Sequence, residues 1–222
     1  MTNLGLGLLI VVGTMPSITS HGVREYYAHA SNAFWWIVGE ALGFRRGGPR
    51  TEEPWPWQFL TKPSKSILEN ITHDSTVPIL GYQEQVEALT GAGFALWDVV
   101  KECNISNSDD NSVRDSKPND IRHFVETQHP TVNRIVFASG KTSAKIFIKH
   151  KKEWLRSGKF VAGAGEYSRE VFPDAVLGSD YDIELQKIEL LVPYSVSPAA
   201  ASISFISKKE QWCQTIFKVS QC

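Results

Sequence analysis

The stretch GTMPSITSHGVREYYAHASNAFW, residues 13–35, gathers side chains that stack, donate and accept hydrogen bonds. The hydroxyls of Ser17, Thr19 and Ser20 suit an anion. Tyr26 and Tyr27 offer aromatic faces, His29 a ring nitrogen, and Asn32 a carboxamide that both donates and accepts. Each residue also has an ordinary use. Asn before Ala33-Phe34-Trp35 is a good helix N-cap, Ser17 is a common turn residue, His29 has no evident carboxylate to tune it, and either tyrosine can be a core or rim aromatic. The chemistry on offer is the binding of a substrate by polar and aromatic groups, with hydroxyls for an anion.

The elements around this stretch place it. Leu6 to Val12 is a continuous, β-branched apolar run, the pattern of a buried parallel strand. The polar stretch therefore leaves that strand's carboxyl end, where ligands bind in open α/β sheets. Helical spacing from Ala33 ends at Gly43, Tyr82 to Thr90 is helical in pattern, and FALWDVV (94–100) is a second strand. Asn104 to Lys117 reads as an exposed polar loop. A helix over Asp120 to His129, a strand at Arg134–Ala138 and a basic amphipathic helix from Thr142 to Lys151 follow. Lys187 to Val192 is a fourth strand and Phe205 to Phe217 a closing helix. Alternating strands and helices predict a three-layer α/β/α sandwich on a central four-stranded parallel sheet. The 222 residues then form a single domain, with insertions at 45–78, where WPW occupies 55–57, and at 159–182.

Composition narrows the class. A net charge of −1 and 42% hydrophobic residues describe a chain with a core of its own and no bulk electrostatic hold on nucleic acid, which leaves room for a local basic rim. Lys208, Lys209, Arg24, His21 and Arg114 are candidates for that rim. Cys103, Cys213 and Cys222 form no CxxC pair and have no histidine at ligand spacing, so neither a disulfide framework nor a metal site is indicated. The apolar start lacks the basic flank of a signal peptide and reads as a strand. No segment reaches the roughly 20 apolar residues that cross a bilayer. The expectation is an intracellular protein, nuclear or cytoplasmic, with no membrane partner.

GTMPS, then YYAHxxNxFW, then LWDVV with a polar loop ending in PND, then SxSPA before the last helix, resembles the hypoxanthine-DNA (DNA-deoxyinosine) glycosylase branch of the uracil-DNA glycosylase superfamily. The blocks occur in the family's order over roughly residues 8–43, 79–149 and 187–217. The resemblance implies a monomeric, monofunctional DNA glycosylase without cofactor or metal. Such an enzyme flips a deaminated base out of double- or single-stranded DNA and hydrolyses its N-glycosidic bond. Asn32 is then the catalytic residue. Tyr27, Met15, His29 and Ser139 contact the base, while Ser17, Ser20, Ser195, Val196, Ser197 and Pro198 contact DNA, Val196 and Pro198 forming an apolar wedge for the minor groove.

The chain departs from the family pattern at several places, one being the basic and glycine-bearing turn after the second strand, degraded around Ile105 and Asn107 although Asp110 remains. Met15 stands where a related branch has a water-holding Asn, Ala30 replaces the proline after His29, Ala138-Ser139-Gly140 replaces FNG, and Ala200 replaces the last residue of SPAN. Asp98 follows a strand, where it can activate water or cap the next turn. Hypoxanthine is the leading substrate. A uracil or thymine mismatch glycosylase, and a catalytically degenerate DNA-binding member of the superfamily, are the alternatives.

Overall fold

The computed structural model describes residues 8–47, 62–72, 76–104, 114–176 and 187–219. The elements in chain order are β1 (Leu8–Gly13), α1 (Ile18–Val23), α2 (Phe34–Leu42), β2 (Arg45–Arg46), α3 (Lys65–Leu68), β3 (Ile79–Leu80), α4 (Tyr82–Gly91), β4 (Phe94–Asp98), β5 (Val100–Asn104), β6 (Arg114–Pro118), α5 (Ile121–His123), β7 (Val132–Phe137), α6 (Lys141–Leu155), β8 (Phe160–Ala162), α7 (Ser168–Val171), β9 (Ile188–Leu191) and α8 (Phe205–Trp212). α5 and α8 run on into π-helical turns at Phe124–Gln128 and Cys213–Phe217. The chain divides into two compact units, Met1–Met15 with Gly93–Ser195, and Pro16–Ala92 with Val196–Cys222.

The first unit is built on a parallel sheet of five strands in the order β4-β1-β7-β9-β8. The α/β class and the parallel sheet match the sequence expectation, with five strands instead of four. The extra strand, β8, is three residues long at the sheet edge, inside the Gly- and Ser-rich stretch read as an insertion. So short a segment carries no periodicity, and its pairing with β9 makes it a strand. Expected strand 94–100 also divides. β4 ends at Asp98, and β5 leaves the sheet to pair antiparallel with β6, so part of the expected loop is a ribbon. Residues 105–113, Trp55, Trp57 and the stretch 177–186 lie outside the described residues.

Alternate residues of β1, β7 and β9 build one core. Ile10, Val12, Ile135, Phe137, Ile188 and Leu190 meet Ala144, Phe147 and Trp154 of α6, with Ile121 and Val125 beside them. The residues between, Leu9, Val11, Val136 and Leu191, are buried as well. Burial on both faces explains why β1 reads as an unbroken apolar run, while β7 carries Asn133 and Arg134 and β9 carries Glu189 among its apolar residues. The chain leaves β1 for β4 on one side and later returns to β7 on the other, so strand order reverses between β1 and β7. Their exits, Thr14-Met15 and Ala138-Ser139, lie where open α/β sheets bind ligands.

Glu126 ties this unit's covering layer together. It accepts from Arg122 Nε at 2.8 Å, Lys159 Nζ at 2.9 Å and Trp154 Nε1 at 3.0 Å. These donors hold its carboxyl down at about 2.

In the second unit, α2 buries Phe34, Trp35, Trp36, Ile37 and Val38 in succession and stops at Gly43, whose φ of 78° is the left-handed conformation glycine adopts freely. The chain then enters β2, which pairs in parallel with β3. Gln85 of α4, buried, donates to the Leu80 carbonyl at 2.7 Å and locks this small ribbon. Phe34 also meets Trp212 of α8, ring centres 6.0 Å apart. Cys103 is a free thiol and Cys213 is disulfide-bonded, so the reading of unpaired cysteines does not hold at Cys213.

Because Glu126 is acidified in the fold, its contribution is full above the ordinary carboxylate value near 4.5 and is lost as pH falls through about 2. Replacement by Gln should lower stability at pH 7 by on the order of 1 kcal/mol, the ion pairs being partly solvated. Urea unfolding at pH 7 and pH 2 should show that difference shrinking in acid.

Candidate active site

Arg46 organises the polar stretch of the second unit. Its guanidinium is buried, and NH2 donates to the carbonyls of Tyr27 at 3.1 Å and Ala28 at 2.9 Å. NH1 donates to the carbonyls of His29 at 3.3 Å and Ala30 at 3.5 Å. Four consecutive carbonyls therefore face one cation. Trp36 lies 5.5 Å from the guanidinium carbon on a ring face. Burial pushes Arg46 down to about 9, with Glu25 acting in the opposite direction. The Tyr27 backbone is left-handed, φ 55°, a strained state for a bulky residue that these bonds hold in place.

The same loop is fixed from its other side. Ser17 caps α1 by accepting from Ser20 N at 3.2 Å, and the Ser20 hydroxyl, buried, accepts from Ala28 N at 3.1 Å. Tyr26 N donates to the Tyr82 hydroxyl at 2.9 Å, and Trp35 Nε1 to the Tyr26 carbonyl at 2.7 Å. Tyr27 is half-buried, its ring centre 4.3 Å from that of Phe34.

His29 and Asn32 close a turn in which Asn32 N donates to the His29 carbonyl at 2.8 Å. His29 Nδ1 accepts from Ser31 N at 3.1 Å, which assigns the proton to Nε2. Burial first, and Arg46 second, push the imidazole below its usual value, so the ring is neutral at pH 7. Asn32 Oδ1 accepts from Phe34 N at 2.9 Å and begins α2. The N-cap position of α2 is Ala33 rather than Asn32, and the Asn32 side chain instead closes a turn two residues long that orients the carboxamide. Nδ2 is left to donate elsewhere. One loop thus offers two neutral donors, His29 Nε2–H and the Asn32 amide.

The SxSPA block belongs partly to this unit. Ala33 N donates to the Val196 carbonyl at 2.9 Å, which ties the block to the start of α2. Val196 is 1% exposed, so the side chain read as a wedge is a core residue instead. Pro198 and Ala199 are exposed at the tip of a turn in which Ser197 Oγ accepts from Ala199 N at 3.2 Å. Lys208, read as part of a basic rim, is buried, donates to the Ser197 carbonyl at 3.2 Å and is pushed down to about 8 by burial. Lys209 likewise turns inward, to Glu40 at 3.4 Å and the Asn70 carbonyl at 3.1 Å. A lysine's reach along its own helix made both ambiguous in sequence.

The first unit holds the other expected residues. Met15, one residue beyond Thr14 at the exit of β1, has its sulfur 3.3 Å from the Cys103 thiol. Ser139 follows β7 and precedes Gly140, where φ is 62° and an added Cβ would meet the Pro193 carbonyl and Ser195 Cβ, both at 3.3 Å. Ser139 and Ser195 are thus brought to one end of the sheet. Asp98 is buried opposite Gly13 in the register of β4 and β1, and its carbonyl accepts from Asn119 Nδ2 at 2.9 Å. Among the described residues no group of three or more His, Cys, Asp or Glu gathers to hold a metal, and no helix is long and apolar enough to cross a membrane.

The family model described as the uracil DNA glycosylase superfamily matches residues 6–217. The chain belongs to the uracil-DNA glycosylase superfamily. Within it, the chain is 23% identical over 137 residues to a hypoxanthine DNA glycosylase of Methanosarcina barkeri, covering 62% of this chain and 66% of that protein. It is 24% identical over 118 residues to a hypoxanthine DNA glycosylase of Methanosarcina acetivorans, covering 53% and 55%. The chain thus spans just under two thirds of one relative and about half of the other. A solution NMR structure of a Methanosarcina acetivorans protein, named as a candidate uracil DNA glycosylase, shares the fold with a TM-score of 0.53 and 19% identity, over 96% of this chain and 90% of that one.

For this superfamily member the residue that sequence reading missed is Arg46. It lies in a stretch read as an insertion, just past a helix stop, and nothing local marks it. Ring nitrogen NMR at pH 7 should show His29 neutral with the proton on Nε2, titrating below 6.5. Replacement of Ser20 by Ala removes the acceptor of a buried amide and should cost about 1–3 kcal/mol in urea unfolding.

Proposed function

We propose that the chain is a monofunctional DNA glycosylase that hydrolyses the N-glycosidic bond of a flipped deaminated base, hypoxanthine first. The observation that carries this reading is the pair of neutral donors on the loop held by Arg46. As the glycosidic bond breaks, its electrons pass to the base; water bonds to the anomeric carbon of the sugar, and the proton it releases ends on the departed base. Donors already aimed at the departing base stabilise that charge without reorganisation. Their neutrality matters, since His29 gives up no proton and loses no hydrogen bond at Nδ1.

A loop that offers donors addresses an edge that offers acceptors. An oxo-purine presents N7 and O6 side by side, whereas adenine carries an amino donor in place of O6. Deamination of adenine to hypoxanthine makes that exchange. A site built for two acceptors leaves a donor opposed by a donor when adenine enters, which disfavours the normal base. In this reading Tyr27 supplies an aromatic face, and the exposed Pro198 tip, rather than Val196, enters the groove. The names of the two curated relatives support the choice of hypoxanthine over uracil.

Single-turnover assays on duplexes carrying deoxyinosine, deoxyuridine or xanthine, followed by alkali, measure the reaction. The wild-type chain should cut deoxyinosine fastest and leave undamaged A·T pairs intact. Asn32→Asp keeps the acceptor that begins α2 and removes the donor, so the variant should fold normally and react 10²–10³-fold more slowly. A variant rate equal to or above wild type would instead mark Asn32 as a holder of water. No cleavage of any duplex by folded wild type would sink the enzyme reading and leave a DNA-binding member.

A further inference from the structure

We infer that Arg46 is a positioning residue for the loop 27–32, setting the backbone on which His29 and Asn32 stand; the catalytic half of this inference rests on the glycosylase reading above. The geometry is specific to a guanidinium. Its planar fork meets the successive carbonyls of Tyr27, Ala28, His29 and Ala30 at 2.9–3.5 Å, a set that a single ammonium point charge cannot span. Those carbonyls belong to the residues immediately before the Ser31 N–H and Asn32 N–H, both of which bond back to His29. The clamp therefore ends where the donor-bearing turn begins.

Two further features point the same way. Tyr27 holds a left-handed backbone with φ 55°, and Arg46 NH2 is bonded to its carbonyl. A strained conformation of this kind persists only where the surroundings over-determine it. Ribbon pairing anchors Arg46 itself, since Arg45 N donates to the Pro78 carbonyl and Gly47 N to the Leu80 carbonyl, both at 2.8 Å. The ribbon of β2 and β3, remote in sequence from the loop, serves to carry one side chain to it. Arg46 touches no reacting atom in this scheme. It acts through backbone carbonyls.

Arg46→Lys tests the inference, because it keeps the charge and removes the fork. Folded Arg46→Lys should show a single-turnover rate on deoxyinosine duplex reduced 10–100-fold, since displacement of reacting groups by about 1 Å has consequences of that order. Its DNA dissociation constant should change less than threefold. Deuterium exchange at the Ser31 and Asn32 amides should be at least tenfold faster than in wild type. Arg46→Met is the companion, in which the His29 ring titrates closer to 6.5 because the neighbouring cation is gone. Unchanged exchange in Arg46→Lys would overturn the inference whether or not the chain cleaves DNA. Loss of rate only in proportion to lost DNA affinity would also overturn it, as a purely structural arginine predicts. Faster exchange in Arg46→Lys beside an inactive wild type would support the clamp and overturn the glycosylase reading instead.

Discussion

A guanidinium taken out of water must find fixed acceptors for its N–H groups, and in the second unit backbone carbonyls supply them. Carbonyls inside helices and central strands are already bonded within the element. An irregular segment has consecutive carbonyls free to turn toward one cation. The loop at residues 27–30 is such a segment, and four of its carbonyls meet Arg46. Desolvation of a cation is costly by several kcal/mol, so the arrangement holds only while the acceptors stay in place. Ser20, Tyr82 and Trp35 fix neighbouring peptide groups and keep them there.

The first unit rests on a different constraint. Parallel strands buried on both faces have few ways to vary, but their exits are free to differ. At the exits of β1 and β7 the chain places Met15 and Ser139. Gly140 then accepts the close approach of the segment that leaves β9, through a backbone conformation most residues avoid. One scaffold with different exits is how one fold hosts different chemistry at its edge.

Much of the fold was legible in the residues. β1 is a continuous apolar run because both its faces are covered, and α2 could be bounded by Asn32 before it and Gly43 after it. Less was legible wherever a residue's partner lay far along the chain. β8 is too short to show a period, and β5 differs from β4 only in what it pairs with. Val196 reads equally well as a surface wedge and as a core side chain. Lys208 and Lys209 read as surface charge, although both bond inward.

The candidate site divides in the same way. The types and spacing of Tyr27, His29 and Asn32, and the family to which they point, could be read from the sequence alone, because they sit within six residues of one another. Which nitrogen of His29 carries its proton, and which end of the Asn32 amide remains available, follow from bonds to Ser31 N and Phe34 N and so required the folded loop. The role of Arg46 lay further still from the sequence. A chain records its side chains locally, whereas desolvation and the supply of acceptors are set by whatever folding brings alongside. Tertiary structure alone decided that this arginine, and no other cation among the described residues, meets those four carbonyls.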